Sequence, residues 1–316
     1  MREGISGSYH GTGNAVAPRG TAERDGGMSG IRKVVFPVAG LGTRMLPATK
    51  VLPKEMLPVV DRPIVEYAVQ EAAAAGCEVF VFVTGRGKSL IEDHFDRAFE
   101  LFETLARKGK TRELEALEAA LPDPGSIVYT RQQAPLGLGH AVWCARNIVG
   151  DEPFGVILVD DLVHARTPCL AQLAAVHAET GGANVVAVEE VPSEHTSRYG
   201  ILDPAEDDGR RVRVRAFVEK PKPEEAPSRL AVIGRYILSP RIFSILEDLP
   251  PGAGGEIQLT DAMTRLLEHE PFYGVRFEGR RFDCGDRVGY LEANLALAME
   301  RPDIAARLHA FLRHYV

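Results

Sequence analysis

Cysteine is scarce: four in 316 residues, at Cys77, Cys144, Cys169 and Cys284, none in a C-x-x-C pair. That spacing excludes a zinc ribbon and a dense disulfide framework, and it points to a reducing, cytoplasmic setting. Basic residues are also outnumbered, with 37 Lys and Arg against 44 Asp and Glu and a formal charge of −7. A surface of that sign repels nucleic acid, so no nucleic-acid partner is expected, and an anionic substrate must meet a local cluster of cations. No run of about eighteen apolar residues occurs, which excludes a membrane-spanning helix, and no membrane partner is expected. The short hydrophobic stretch of a signal peptide is missing as well.

What is present is the composition of a globular protein, 45% hydrophobic and 26% charged, long enough to bury a full core. Residues 1–30 hold eight of the 31 glycines and few large apolar residues, which predicts a disordered tail, with Met28 a candidate start. Residues 31–316 are expected to form one large domain. Apolar β-rich runs at 33–39, 78–84, 126–131, 154–160 and 183–188 alternate with helical patterns at 64–75, 88–106, 138–147 and 169–179. This order predicts an α/β fold: a mostly parallel, mixed sheet with helices on both faces. Runs at 199–202, 212–218 and 230–238 follow without intervening helices, so an antiparallel extension is expected before C-terminal helices near 241–247, 257–268, 288–299 and 304–313. In such sheets ligands bind beyond the carboxyl ends of the strands.

After the first strand comes Ala39-Gly40-Leu41-Gly42-Thr43-Arg44-Met45. Glycines let backbone amides approach a phosphate, although a bare G-x-G serves equally as a tight turn. The third glycine of a dinucleotide fingerprint is replaced by Met45, and Pro47, Pro53 and Pro58 forbid the long helix such a fingerprint opens. Arg44, Lys50 and Lys54 follow instead, cations of the kind that neutralise a leaving pyrophosphate. The segment Gly85-Arg86-Gly87-Lys88-Ser89 ends like a P-loop, but Phe82 stands where its first glycine belongs, so it reads as a loop opening a helix. Asp160 and Asp161 end an apolar strand, where two carboxylates need a cation or solvent; Asp161 is also placed to cap a turn. Gln132 carries an amide that offers both a donor and an acceptor to a planar ligand edge. His140, at a helix start, reads as packed or hydrogen-bonded locally rather than as a base. Cys284 reads as a small buried residue.

The run from Gly40 to Lys50, then Pro53-Lys54-Glu55-Met56-Leu57-Pro58 and Asp61-Arg62-Pro63, resembles the signature of bacterial UTP:glucose-1-phosphate uridylyltransferases among the sugar-nucleotide pyrophosphorylases. The resemblance extends from about residue 31 to the C-terminal helices, and it implies that residues 31–316 form a nucleotidyltransferase domain with a Rossmann-like fold. It implies that Arg44, Lys54 and Lys220 are catalytic, and that Ala39, Gly40, Glu55, Gln132, Gly137 and Asp161 bind the nucleotide. It further implies that Gly200 and Glu219 meet the sugar, and that Asp160 and Asp283 hold Mg2+. Glu219 and Lys220 are neighbours on one strand, so a chain bend after Glu219, encouraged by Pro221, is required for both to reach one ligand. Glu256 is expected to cap a helix and Asp261 to support the site. The implied substrates are UTP and glucose 1-phosphate, the products UDP-glucose and pyrophosphate, and the implied assembly a homodimer or homotetramer. Alternatives are a relative using dTTP or another sugar 1-phosphate, a nicotinamide-dependent oxidoreductase, or a noncatalytic sugar-nucleotide sensor.

Overall fold

The computed structural model describes residues 30–315, so the tail expected at 1–30 lies, apart from Gly30, outside the described residues. Its strands are β1 (Lys33–Pro37), β2 (Pro58–Val59), β3 (Arg62–Pro63), β4 (Val79–Thr84), β5 (Ile127–Arg131), β6 (Phe154–Ile157) and β7 (Asp161–His164). They continue with β8 (Asn184–Glu190), β9 (Gly200–Asp207), β10 (Arg211–Glu219), β11 (Leu230–Leu238), β12 (Phe272–Arg276) and β13 (Arg280–Asp283). Nine of them form one mixed sheet in the order β5-β4-β1-β6-β11-β8-β12-β10-β9. The strands β5, β4, β1 and β6 run parallel, as helical crossovers require. The order turns antiparallel at β6–β11, strands far apart in sequence, and at β9–β10, which follow one another through a short loop.

Burial of β1 on both faces fits its place inside the sheet, between β4 and β6. Val34 and Phe36 enter one apolar layer and Val35 the other, and all three are fully buried. On the first face lie the helices Ile64–Ala74 and Cys169–Glu179, whose Ile64, Ala68 and Ala72, and Cys169 and Leu173, repeat at helical spacing. Phe36 and Phe82 stack there with centroids 4.9 Å apart. The second face is covered by Leu138–Trp143, Ile242–Glu247 and Leu259–Leu267.

Several elements differ from the sequence expectation. The helix expected over 88–106 is two, Ser89–Phe95 and Phe99–Arg107. Asp96 is extended between them, and its side chain accepts from Arg97 N at 3.0 Å, a local bond that competes with the helix ladder. The helix expected over 138–147 breaks after Trp143, where the turn tightens through Ala145 N donating to Val142 O. The strand expected over 154–160 stops at Ile157: Asp161 N bonds Leu158 O in a turn, and Asp161 opens β7, which pairs antiparallel with β13. Thr111–Ala120 is a helix with no buried residue, and so gave no periodic signal. Among the described residues no helix is long and apolar enough to cross a membrane.

Candidate active site

The site grows from the carboxyl ends of β1, β4, β5 and β6. Beyond β1, Gly42 adopts φ +65°, a conformation that side chains resist, and a Cβ there would stand 3.3 Å from both Lys54 Cβ and Thr49 Cβ. Thr49 Oγ donates to Gly42 O at 2.7 Å, folding the following segment back over the loop. That segment forms three single 3-10 turns, Thr43–Met45, Ala48–Lys50 and Lys54–Met56, the last two entered through Pro47 and Pro53. These short turns stand where a dinucleotide fingerprint would need an α-helix directly after its glycines.

The third turn aims Lys54 at Asp160, with Nζ 2.6 Å from Oδ2. Burial alone would push the Lys54 pKa down, but the Asp160 carboxylate outweighs it and the pKa rises. Burial likewise opposes ionisation of Asp160, and the Lys54 charge and hydrogen bond overcome it and hold its pKa low. Arg44 spans two carboxylates, with Nη2 3.7 Å from Asp160 Oδ2 and Nη1 3.8 Å from Asp283 Oδ2. Asp283 also faces Arg198 Nη2 at 3.6 Å, yet burial and the neighbouring Asp161 charge raise its pKa. The ribbon of β7 and β13 sets this spacing, because Cys284 N donates to Asp160 O at 2.7 Å.

At the centre stands Gly285. A Cβ on it would lie 2.7 Å from Asp160 Oδ2 and 3.1 Å from Asp283 Oδ1, so both oxygens surround one small space. Two carboxylates on one space are hard oxygen donors suited to a divalent ion that keeps water and phosphate in its remaining positions. Among the described residues no group of three or more His, Cys, Asp or Glu forms a cation cage.

Other residues expected at the site have partners of their own. Asp161 accepts from Arg281 Nε at 2.7 Å and from Gly234 N at 2.9 Å, so it braces β13 and β11 rather than capping the turn. Glu55 is 1% exposed and pairs with Lys88 Nζ at 2.7 Å. Burial raises its pKa against the Lys88 and Lys54 charges. Lys50 is exposed and outside the carboxylate cluster. Gln132 follows β5, with its backbone N bonded to Thr84 O at 2.9 Å, and Gly137 opens the next helix at φ +101°. Gly85, after β4, packs on the Ala39 backbone, and Gly40 is exposed beside it.

The bend required after Glu219 is present. Lys220 has φ +46°, and its Nζ turns back to within 2.7 Å of Glu219 Oε1. A Cβ on Gly200 would sit 3.3 Å from Glu219 Oε2, which places the three side by side. Burial and then the Glu219 charge raise the Asp261 pKa against the Arg265 and Lys220 charges, which puts it near the same cluster. Glu256 does not cap the helix after it: it accepts from Gln258 Nε2 at 3.3 Å, and that helix start has no side-chain cap. Cys284 is buried and its thiol pKa is pushed up to about 12 by burial and nearby carboxylates, so it is no nucleophile. His140 is hydrogen-bonded locally, through Nδ1 to Gln132.

Sequence reasoning missed Arg198, Arg281 and Gly285, because lone arginines and a lone glycine carry no spacing signal. It also missed the Arg235–Glu71 pair, buried at 1% and 8% with Nη2 to Oε2 at 2.7 Å. That arginine also donates to Leu158 O and Gly234 O, which fixes the turn leading to Asp160.

Residues 33–300 match the nucleotidyl transferase family. A UTP–glucose-1-phosphate uridylyltransferase of Bacillus subtilis is 50% identical over 285 residues, 90% of this chain and 97% of the relative. A UDP-glucose pyrophosphorylase structure from Acinetobacter baumannii superposes with a TM-score of 0.83 at 41% identity, covering 90% of this chain and all of the other. A UDP-glucose pyrophosphorylase complexed with UDP-glucose gives 0.77 at 41% identity, over 86% of this chain and all of the other. The chain belongs to the nucleotidyl transferase family and, within it, to the UTP–glucose-1-phosphate uridylyltransferases.

Proposed function

We propose that the chain makes UDP-glucose and pyrophosphate from UTP and glucose 1-phosphate, in one direct displacement with Mg2+. A phosphate oxygen of glucose 1-phosphate forms a bond to the α-phosphorus of UTP while the bond from that phosphorus to the bridging oxygen of pyrophosphate breaks. The attacking phosphate is ionised at neutral pH, so no general base is needed, and the protein's work is positioning and charge neutralisation. The observation that carries this reading is the cluster of Lys54, Arg44, Asp160 and Asp283 around Gly285.

In this reading Lys54 and Lys220 hold the two phosphates that must meet, and Arg44 draws charge toward the leaving group. The Ala39 and Gly40 amides and the 132–137 segment take the nucleoside, with Glu55 and Asp161 acting from behind it through Lys88 and Arg281. Glu219 accepts from sugar hydroxyls, and Gly200 keeps the space beside it open. Asp160 and Asp283 would hold Mg2+, which when bound neutralises phosphate oxygens. The Lys54–Asp160 pair supports that role, since a lysine freed by a metal can turn to an incoming phosphate without leaving a bare charge.

We place the protein in the cytoplasm, which four free thiols favour. Self-association as a homodimer or homotetramer is supported by the exposed apolar row Val288, Leu291 and Leu295 with Phe311, and sedimentation equilibrium measures it. Purified chain with Mg2+ should release pyrophosphate from UTP and glucose 1-phosphate faster than from dTTP or other sugar 1-phosphates. No release from any such pair would overturn the reading.

A further inference from the structure

Gln132 is 9% exposed, and its amide carries more information than its placement. Nε2 lies 3.0 Å from Gly137 O and 3.0 Å from His140 Nδ1. A backbone carbonyl only accepts, so the amino end of the amide, not the oxygen end, faces Gly137. The second amino hydrogen then points at His140, whose Nδ1 must be the lone-pair nitrogen, with the ring proton on Nε2. Both donors of Gln132 are committed. Its Oε1 takes no partner among the described residues and is not sealed from solvent, since the one fully buried orphan side-chain atom is Trp143 Nε1.

The histidine is itself held in place. Gly139 N donates to Ile257 O at 2.8 Å and Ile257 N to Leu136 O at 2.7 Å, which pins the helix start. The imidazole stacks on Trp143 with centroids 5.8 Å apart, and the Arg146 guanidinium lies 3.4 Å from the Trp143 ring centroid. Burial, and then the Arg146 charge, lower the His140 pKa and favour the neutral ring that an acceptor at Nδ1 requires.

We propose that His140 is a positioning residue that sets nucleobase choice: it holds the Gln132 amino group, so that Gln132 meets the base as an acceptor only. That acceptor fits the N3–H donor of uracil and opposes the N3 lone pair of cytosine, and it does not separate uracil from thymine, which carries the same N3–H. The proposal rests on the reading that Gln132 faces the base.

The test compares kcat/KM for UTP and CTP in the wild-type chain and in His140→Phe, His140→Asn and Gln132→Ala. Phenylalanine keeps the stack on Trp143 but removes one of the amide's two acceptors, leaving the Gly137 carbonyl alone to hold it, so the turned-over amide becomes easier to reach and the UTP:CTP ratio should fall about tenfold. Asparagine restores an acceptor oxygen, and its ratio should stay within about threefold of wild type. Should His140→Phe fail to fold, His140→Leu gives the same reading. A wild-type ratio in the phenylalanine or leucine variant, with Gln132→Ala losing it, would overturn the role of His140 while leaving Gln132 at the base. A wild-type ratio in Gln132→Ala would remove the underlying reading of Gln132 and the proposal with it.

Discussion

A methyl group added at Gly285 would land 2.6 Å from Arg44 Nη2, 2.7 Å from Asp160 Oδ2 and 3.1 Å from Asp283 Oδ1. Arg44, with 58% of its side chain exposed, can swing away at little cost. The carboxylates, 21% and 19% exposed and tied by Lys54 and by the β7–β13 ribbon, cannot. Ordinary van der Waals contact begins near 3.4 Å, so Asp160 must retreat by about 0.7 Å and Asp283 by about 0.3 Å, widening the space they share. Misplacement approaching 1 Å in a positioned site costs roughly 10²-fold in rate, or about 2.7 kcal/mol of barrier. Gly285→Ala is therefore expected to lower kcat for pyrophosphate release about 100-fold with UTP, glucose 1-phosphate and Mg2+ saturating. The melting temperature should stay within a few degrees, because the methyl meets side chains rather than core backbone. A kcat within about threefold of wild type would refute the inference that both carboxylates must keep this spacing.

Asp160→Asn keeps the shape but removes the charge beside Lys54, and steady-state assays should find turnover abolished while far-UV circular dichroism is unchanged. Lys220→Ala should raise KM for glucose 1-phosphate roughly 10- to 100-fold, the worth of one charge-assisted hydrogen bond, and leave KM for UTP nearly constant in initial-rate measurements. Lys88→Met strands Glu55 in a buried place and should cost about 3–5 kcal/mol in urea unfolding, most of which the double change Glu55→Gln with Lys88→Met should recover. A double variant no more stable than Lys88→Met would show that the pair's charge is not what matters.

Much of the sheet was legible because its strands are buried on both faces and read as continuous apolar runs, as in Lys33–Pro37 and Val79–Thr84. The glycine loop was legible through its prolines, which forbid a helix after Gly42 and turn the chain back toward the carboxylates. The need for a bend after Glu219 followed from strand geometry alone, and Lys220 supplies it. What stayed hidden depends on long-range pairing. Nothing local marks Asp161 as the partner of Arg281, 120 residues away, or Lys88 as the partner of Glu55. The break at Asp96 had a local cause, a short acidic side chain that bonds its own backbone, which outweighed the apolar periodicity on either side.

In the proposed reaction Asp160 and Asp283 together hold the divalent ion against the substrate phosphates. Anomalous diffraction from crystals grown with UDP-glucose and Mn2+ in place of Mg2+ tests it most directly. One manganese peak is expected within coordination distance of both an Asp160 and an Asp283 oxygen, beside the phosphates. A peak bound elsewhere, or bound by neither aspartate, would contradict it.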